Sequence, residues 1–175
     1  MITGEKIILR SLTNDDQLML AELANNKNIW LNVRDILPHP YTINDAINFI
    51  NLTKNESPQL SFAIEYKNSF CGMIGLTPQQ DVYRLTTEIG YWIGEPFWGN
   101  GIATEAVKLL THYAFNELRF VRIHTGIFEY NIGSMKVLEK NGYKKDCVFE
   151  KSVIKDGKIL DEHRYSKINP SMSNA

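Results

Sequence analysis

Apolar residues recur along the chain with two different spacings, and these predict its strands and helices. Short apolar runs rich in β-branched and aromatic residues are typical of strands; they occur at residues 6–12, 60–66, 70–76, 88–93, 121–128, 148–155 and 158–168. Apolar residues spaced three or four apart predict helices that begin near Thr13, Thr42, Ile102 and Asn131. The order β-α-α-β-β-β-α-β-α-β-β combines antiparallel hairpins with a central crossover, so we expect a mixed α/β (α+β) fold.

Composition indicates an ordinary globular protein. Of the 175 residues, 43% are hydrophobic and 22% are charged, which suits one domain with a core of useful size. We expect this domain to cover residues 1–169 and to be followed by a flexible polar tail at 170–175. The 19 basic and 20 acidic residues leave a net charge of −1. That charge provides no general field to attract nucleic acid or an anionic membrane.

Cysteine and histidine do not form a metal-binding pattern. Cys71 and Cys147 lie in strand-like apolar runs, so each is expected to be a buried free thiol. Together with four scattered histidines they show no metal-ligand spacing. The N-terminal apolar run is interrupted by Glu5, Lys6 and Arg10, unlike a signal peptide. No apolar stretch approaches the roughly 20 residues that cross a membrane, so we expect a cytoplasmic protein without a metal.

The stretch from Glu88 to Ala106 reads as a strand, a glycine turn and the start of a long helix. Gly99 and Gly101 precede the apolar helical pattern that begins at Ile102. Such a turn leaves the first backbone N–H groups of the helix without partners, and these groups and the helix dipole attract an anion. Glycine has no Cβ, so a phosphate can approach the backbone closely. No Lys or Arg lies between residues 84 and 108, so main-chain amides would hold the anion.

Taken alone, two glycines before a helix fit an ordinary strand-to-helix turn as well as they fit an anion site. Two better-known phosphate motifs are absent from the sequence. There is no G-x-x-x-x-G-K-[ST], so the turn is not a P-loop. The turn is also not G-x-G-x-x-G after the first strand of a βαβ unit, which argues against a dinucleotide-binding fold.

A second stretch, NIGSMKVLEKNGY at residues 131–143, completes the pattern. Asn131 suits a helix N-cap, and Gly142 suits the position just after a helix. With both stretches in view, the chain resembles the GNAT superfamily of acyl-CoA N-acyltransferases, and most of all its ribosomal-protein N-acetyltransferase (RimJ/RimL-like) branch. The family's acetyl-CoA loop, Q/R-x-x-G-x-G/A, matches residues 98–103, with Trp98 in place of Gln or Arg. The family's N-x-x-S…K-x-G-[FY] pattern matches Asn131, Ser134, Lys140, Gly142 and Tyr143.

The resemblance, which covers nearly the whole chain, implies a fold and a cofactor. It implies a single GNAT fold with a mixed sheet of six to seven strands, flanked by about four helices. The parallel strands at Glu88 and Val121 would separate in a V-shaped splay at the centre of the sheet. Acetyl-CoA would bind with its pantetheine along the first of these strands and its pyrophosphate on the glycine loop. The expected cofactor-binding residues are Tyr91, Trp92, Ile93, Trp98, Gly99, Asn100, Gly101, Ile102, Ala103 and Asn131.

The resemblance also implies acetyl transfer from acetyl-CoA to a primary amine by direct attack, a reaction of class EC 2.3.1. Glu88 is expected to accept the amine proton, as family members often do through a water molecule. Ser134 is expected to supply the acid for the departing thiolate, because Leu138 stands where many family members have a tyrosine. The alternatives are a Glu88 that is solvated or paired with Arg84 or Arg122, and a Ser134 that only caps its helix.

The acceptor amine is not encoded in any readable motif. The N-terminal α-amine of a protein or peptide is the family's expectation, and its pKa near 8 makes it easier to deprotonate than a lysine amine near 10.4. A small amine, such as a polyamine, an antibiotic or an amino acid, is an alternative. A protein that binds acetyl-CoA without catalysis is another. The resemblance is compatible with a homodimer, and no nucleic-acid or membrane partner is expected.

Overall fold

Strands and helices form close to where the apolar patterns predict them in the computed structural model, which describes residues 1–172. The strands of this part of the chain are β1 (Ile2–Thr3), β2 (Ile7–Arg10), β3 (Ser61–Tyr66), β4 (Ser69–Pro78), β5 (Thr86–Ile93), β6 (Arg122–Phe128), β7 (Lys144–Lys155) and β8 (Lys158–Ile168). Its α-helices are α1 (Gln17–Ala24), α2 (Lys27–Trp30), α3 (Ile43–Thr53), α4 (Ile102–Asn116) and α5 (Ile132–Lys140). The predicted mixed α/β class is confirmed.

Hydrogen bonding orders the strands β1-β2-β3-β4-β5-β6-β8-β7 in one mixed sheet. Strands β5 and β6 are parallel and pair from Thr86↔Arg122 to Glu88↔His124. Beyond these residues β5 continues to Ile93, whereas β6 keeps its antiparallel pairing with β8 as far as Phe128. The described parallel pairing thus covers the first part of both strands.

The described part of the chain contains one strand and one helix more than the sequence patterns indicated. Strand β1 has two residues, and Gly4 N bonds to Ile7 O (2.9 Å) in the bend that returns the chain to β2. Helix α2 is a single turn, capped by the Asn26 side chain, which accepts from Asn28 N (2.7 Å). Neither element is long enough to show an apolar period, which explains why both were missed.

The chain packs into two compact units, of which the first comprises Met1–Gly75 and Tyr91–Ala106. Strands β1 to β3, most of β4, helices α1 to α3, the end of β5 and the first turn of α4 belong to it. Its buried apolar side chains come from both the helices and the strands, and their burial is the main stabilising contribution to this unit. They include Leu12, Leu20, Leu23, Ala24, Tyr41, Ala46, Ile50, Ala63, Phe70 and Met73.

The second unit comprises Leu76–Gly90 and the chain from Val107 onward. It contains β6, β7, β8, α5, the start of β5 and most of α4. Inside it, the hydroxyls of Thr111 and Tyr143 are hydrogen-bonded at 2.8 Å and buried. The apolar core residues of this unit, each at most 2% exposed, include Ile89, Val107, Leu110, Ala114, Ile123, Leu138 and Tyr165.

The cysteines and the C-terminal tail partly match the sequence expectations. Cys71 is buried as predicted, but the prediction for Cys147 is wrong, because its thiol is exposed. Cys147 lies on β7, the last strand in the order of the sheet, beside a register shift after Lys145 that interrupts the pairing with β8.

Of the predicted tail, residues 170–172 form one 3-10 turn, and residues 173–175 lie outside the described residues. Over residues 1–172, no helix is both long and apolar enough to cross a bilayer.

Candidate active site

The glycine turn begins where β5 ends, in the first unit. Gly94 donates its N–H to the Cys71 carbonyl (2.8 Å), and Glu95–Phe97 follow as one 3-10 turn. Gly99 and Gly101 then adopt φ values of +78° and +79°. Such left-handed values suit glycine and are unfavourable for other residues. The two glycines therefore allow the chain to change direction and enter α4.

The turn presents backbone amides at the N-terminus of α4. The first helical hydrogen bond joins Glu105 N to Gly101 O (3.1 Å), and the amides of Ile102 and Ala103 lie too early in the helix to have an acceptor within it. A Cβ built on Gly99 or Gly101 would meet no atom within 4 Å, so open space lies against the backbone. The amides, the helix dipole and this open space suit the binding of a phosphate group.

Side-chain hydrogen bonds fix the shape of the turn. Trp98 Nε1 donates to the Ile93 carbonyl (2.6 Å). Asn100 Nδ2 donates to the carbonyls of Phe97 (3.0 Å) and Trp98 (3.2 Å). Trp98 is nevertheless 47% exposed. Its indole therefore anchors the turn to the end of β5 and does not fill the core.

Residues on either side of the turn are held by other elements of the same unit. The Glu95 carboxylate accepts from Asn26 Nδ2 (2.7 Å) and Asn28 Nδ2 (3.0 Å). These two hydrogen bonds lower the pKa of Glu95, with Asn26 as the larger cause. Glu105, in the first turn of α4, accepts from the backbone N–H of Lys6 (3.0 Å). Its carboxylate thus links α4 to the residue before β2.

The three cofactor-binding candidates on β5 lie at its C-terminal end. Tyr91 and Trp92 are half-buried, and Ile93 is buried. The ring of Trp92 packs edge-on against Phe70, with centroids 6.2 Å apart. The Trp92 carbonyl lies against β4, where a Cβ on Gly72 would come within 2.3 Å of it. Glycine at position 72 therefore permits the close approach of β4 to this end of β5.

Glu88 lies in the second unit, in the part of β5 that is paired with β6. Its partner in the register is His124, so the two side chains leave the same face of the sheet. Glu88 is half-buried. Gly90, two residues further on and on the same face, is exposed, and a Cβ built there would meet nothing within 4 Å. Open space therefore lies beside Glu88 along the strand.

The two arginines considered as alternative partners of Glu88 both have other contacts. Arg122 forms an ion pair with Asp146 across to β7. Arg84 Nη1 donates to the backbone carbonyl of Asp81 (3.2 Å). These contacts account for at least part of the hydrogen-bonding capacity of both guanidinium groups.

Helix α5 carries the other predicted residues of the second unit. Asn131 Oδ1 accepts from Ser134 N (3.1 Å), which confirms the predicted N-cap. A bond from Asn131 to a cofactor could still come from its Nδ2 donor or go to the second lone pair of Oδ1. Ser134 is half-buried in the first turn, and Leu138 is fully buried at 0% exposure. Leu138 has no polar atom to offer, so Ser134 is the hydroxyl that α5 provides.

The register partner of Glu88, His124, and two polar residues linked to it were not among the predicted site residues. Arg164, on β8, donates from Nη1 to Glu162 Oε2 (3.0 Å) and lies with Nη2 at 3.1 Å from His124 Nδ1. A signal was present in the sequence, because His124 and Glu162–Arg164 are polar at alternate positions of predicted strands. The pairing of β6 with β8, which places them together, is not encoded locally.

The buried cysteine does not suit a covalent mechanism. Burial raises the pKa of the Cys71 thiol to about 12, with Glu65 as a smaller cause. Its Sγ also lies 3.3 Å from the Ile64 carbonyl. Because the thiolate is the nucleophile, Cys71 is unreactive near neutral pH.

The first unit therefore carries a turn that suits an anion at the N-terminus of α4. The second unit carries a half-buried carboxylate and a helix-borne hydroxyl.

Comparison with known proteins identifies the family. The model described as Acetyltransferase (GNAT) domain matches residues 6–144, and the chain belongs to this family. It is similar to YjcK of Bacillus subtilis, named a probable N-acetyltransferase, with 42% identity over 49% of this chain and 47% of YjcK. It is also similar to YdaF of Bacillus subtilis, provisionally named a ribosomal N-acetyltransferase, with 41% identity over 46% of this chain and 44% of YdaF. Each alignment spans about half of the relative's length.

A solved structure extends the similarity to the whole fold. The crystal structure of a GNAT acetyltransferase from Bacillus anthracis superposes with a TM-score of 0.83 and covers 96% of this chain and 98% of that one. At 22% identity, this match supports the fold and not the substrate. The prediction of a GNAT fold and of an acyl-CoA-dependent N-acyltransferase is confirmed.

Proposed function

We propose that this protein transfers the acetyl group of acetyl-CoA to the N-terminal α-amine of a protein or peptide, in the manner of the RimJ/RimL-like branch. The observation that carries the proposal is the turn at Gly99 and Gly101, with left-handed glycines, open space against the backbone and direct entry into α4. Acetyl-CoA supplies the activated acetyl group as a thioester. The amides of residues 98–103 bind its diphosphate, and the backbone of Tyr91–Ile93 binds the pantetheine as an added strand would.

Glu88 is the proposed proton acceptor. An amine must lose a proton to act as a nucleophile, and a half-buried carboxylate beside open space can receive it directly or through one water. Ser134 is the proposed donor to the departing thiolate. Since a thiol has a pKa near 8.5, this donor is less important than the acceptor. Much of the acceleration comes from holding the two reactants together.

The choice of a protein α-amine as acceptor is supported by two arguments. An α-amine, with a pKa near 8, asks less of the proton acceptor than a lysine amine near 10.4. The relative YdaF, whose name refers to ribosomal N-acetylation, shares 41% identity over 46% of this chain. A cytoplasmic location, a homodimer and a single domain over residues 1–169 remain predictions.

The acceptor can be tested by following free thiol release from acetyl-CoA. Peptides with a free N-terminus and no lysine are compared with N-terminally blocked peptides that contain one lysine, and with spermidine and single amino acids. We expect turnover with the first set only. Turnover with spermidine or with blocked peptides would contradict the α-amine assignment but would still agree with the enzyme class. Binding of coenzyme A with no turnover on any amine would indicate a non-catalytic acetyl-CoA-binding protein.

The proposed roles of Glu88 and Ser134 can be tested in the same assay. Glu88→Gln should lower kcat by about a hundredfold, the lower range of general-base contributions. Ser134→Ala should cost less than tenfold, because the thiolate leaves without much help. Glu117→Gln, which changes an exposed carboxylate just after α4, is the matched control. Full turnover of Glu88→Gln across pH would remove Glu88 from the mechanism.

A further inference from the structure

One face of β6 and β8 carries a continuous row of polar side chains in the second unit. Gly126 is the register partner of Arg164, and Phe128 that of Glu162. His124 lies two residues before Gly126 and therefore on the same face. The Arg164 guanidinium joins Glu162 and His124, at 3.0 Å and 3.1 Å respectively. The opposite face of β6 is buried and carries Ile123, Thr125 and Ile127.

The contact with Arg164 fixes the protonation state of His124. A guanidinium group has N–H donors and no acceptor. A ring nitrogen 3.1 Å from Arg164 Nη2 must therefore accept, which leaves Nδ1 of His124 without a proton. A neutral imidazole with an unprotonated Nδ1 carries its proton on Nε2. His124 is thus held as the neutral Nε2–H tautomer.

Arg164 is itself held in place from several sides. The Glu162 carboxylate binds Nη1, and the guanidinium lies 5.6 Å from the ring centroid of Phe149 on β7. A Cβ on Gly126 would come within 2.0 Å of Glu162 Oε1 and 3.0 Å of Arg164 Nη1. Both side chains therefore lie against the backbone at Gly126. Arg164 is only 25% exposed and Glu162 only 17% exposed, so solvent weakens this ion pair less than one on the surface.

The row of polar side chains on β6 and β8 lies next to β5, the strand that carries Glu88. Glu88 and His124 are register partners in the parallel β5–β6 pairing, on strands that lie about 4.8 Å apart, with both side chains on the same face. We propose that His124 is a positioning residue for Glu88: Arg164 keeps its imidazole in the Nε2–H form, and that N–H hydrogen-bonds to the Glu88 carboxylate and orients it for the acceptor amine. The role of Glu88 in this inference rests on the proposed function.

The proposal has a consequence for the orientation of Glu88. Loss of the Nε2–H would remove the hydrogen bond that holds the carboxylate toward the acceptor amine. The rate constant kcat would then fall, while binding of acetyl-CoA would stay unchanged. The other charged groups near His124 come from β6, β7 and β8 and are present in both forms of the protein: Arg122, Asp146, Glu162 and Arg164.

Histidine ¹⁵N NMR tests the tautomer without any substrate. The His124 signals are assigned by their loss in His124→Gln. At pH 7 we expect an unprotonated Nδ1 and a protonated Nε2, and we expect Glu88→Gln to shift the Nε2–H signal. Arg164→Met should release the ring to a mixture of tautomers. A protonated Nδ1, an imidazolium at pH 7, or a spectrum unaffected by either variant would overturn the proposal.

Two substitutions at position 124 separate positioning from structure in the kinetic assay. His124→Asn keeps an acceptor where Nδ1 lies and loses the Nε2 donor, whereas His124→Gln keeps an N–H donor near Nε2. We expect His124→Asn to lower kcat about tenfold, with the KM for acetyl-CoA unchanged. His124→Gln should retain most of the activity, and His112→Asn, on the exposed face of α4, serves as the matched control.

The kinetic outcomes are equally decisive. Equal losses of kcat in His124→Asn and His124→Gln would indicate a structural role only and overturn the proposal. If the wild-type protein acetylates no amine, the proposed function fails. The NMR result with Glu88→Gln would still decide whether His124 binds and orients that carboxylate.

Discussion

Substitution of Gly101 separates the two properties that the structure attributes to the turn. Its φ of +79° is unfavourable for a residue with a Cβ, and the space around that Cβ is open. Gly101→Ala therefore introduces backbone strain without a clash inside the protein. Gly101→Asn adds a Cβ at the same place, but asparagine tolerates the left-handed region better than alanine does. The two variants share the added Cβ and differ in strain.

The expected losses of stability and of coenzyme A affinity follow from the backbone strain and from the added Cβ. A left-handed conformation costs a non-glycine residue about 1–2 kcal/mol, so Gly101→Ala should lower the free energy of unfolding by that amount. For a chain of this size, this corresponds to a fall in Tm of about 2–8 °C. Gly101→Asn should lose about half as much. Both variants place a Cβ where a phosphate would approach the amides. Losing one hydrogen bond to a charged group then weakens coenzyme A binding by about tenfold or more.

Denaturant unfolding measures the first effect, and calorimetric titration with coenzyme A measures the second. We expect the stabilities of the two variants to differ and their coenzyme A affinities to fall together. Gly133→Ala is the matched control, because it lies in the first turn of α5 and its new Cβ would approach only the Asn131 side chain, at 3.8 Å. If Gly101→Asn bound coenzyme A as tightly as the wild type, the idea that these amides hold the diphosphate would be refuted.

Three further predictions concern the rest of the molecule. Burial is the largest single influence on Asp16 and opposes its ionisation, but Arg10 (hydrogen bonds of 2.7 and 2.8 Å) and Thr13 together outweigh it and lower the pKa. Asp16→Asn should therefore destabilise the protein by about 1–3 kcal/mol at pH 7. In urea titrations this difference should persist above about pH 4 and shrink as the pH falls through the lowered pKa. An aromatic disulfide reagent at pH 8 should label Cys147 quickly and Cys71 only after denaturation, because the pKa of the buried thiol is about 12. Asn131→Ala should lower the free energy of unfolding by about 1 kcal/mol through loss of the α5 cap, measured by urea denaturation.

Features with a local cause could be predicted from the sequence. The Asp156–Gly157 turn between β7 and β8 has positive φ at both residues (49° and 74°), as a type I′ turn requires. Gly142 follows α5 with a φ of +76°, as a helix-ending glycine does. In each case the residue type and its immediate neighbours determine the conformation. The same holds for the glycine turn before α4.

Features with a long-range cause could not be predicted. Asn26 and Asn28 stabilise Glu95 across nearly 70 positions of the chain, with sequence separations of 69 and 67. Nothing in the local sequence of Glu95 indicates these partners. Likewise, the partners predicted as alternatives for Glu88 were Arg84 and Arg122, whereas its register partner is a histidine. Which residues meet depends on the register of strands that are far apart in the sequence.

Glycine shows most clearly where local reasoning ends. Gly99 has a left-handed φ and open space around a built Cβ. Its backbone conformation alone therefore favours glycine. Gly126 has no such φ, but a Cβ built there would lie 2.0 Å from Glu162 Oε1. Glycine is favoured at this position because side chains from β8 occupy the space of a Cβ. Added bulk at Gly126 would have to displace Glu162, and with it the ion pair that holds Arg164 against His124. The role of Gly99 could be predicted from the sequence alone. The role of Gly126 follows only from the β6–β8 pairing, on which the proposed orientation of Glu88 also depends.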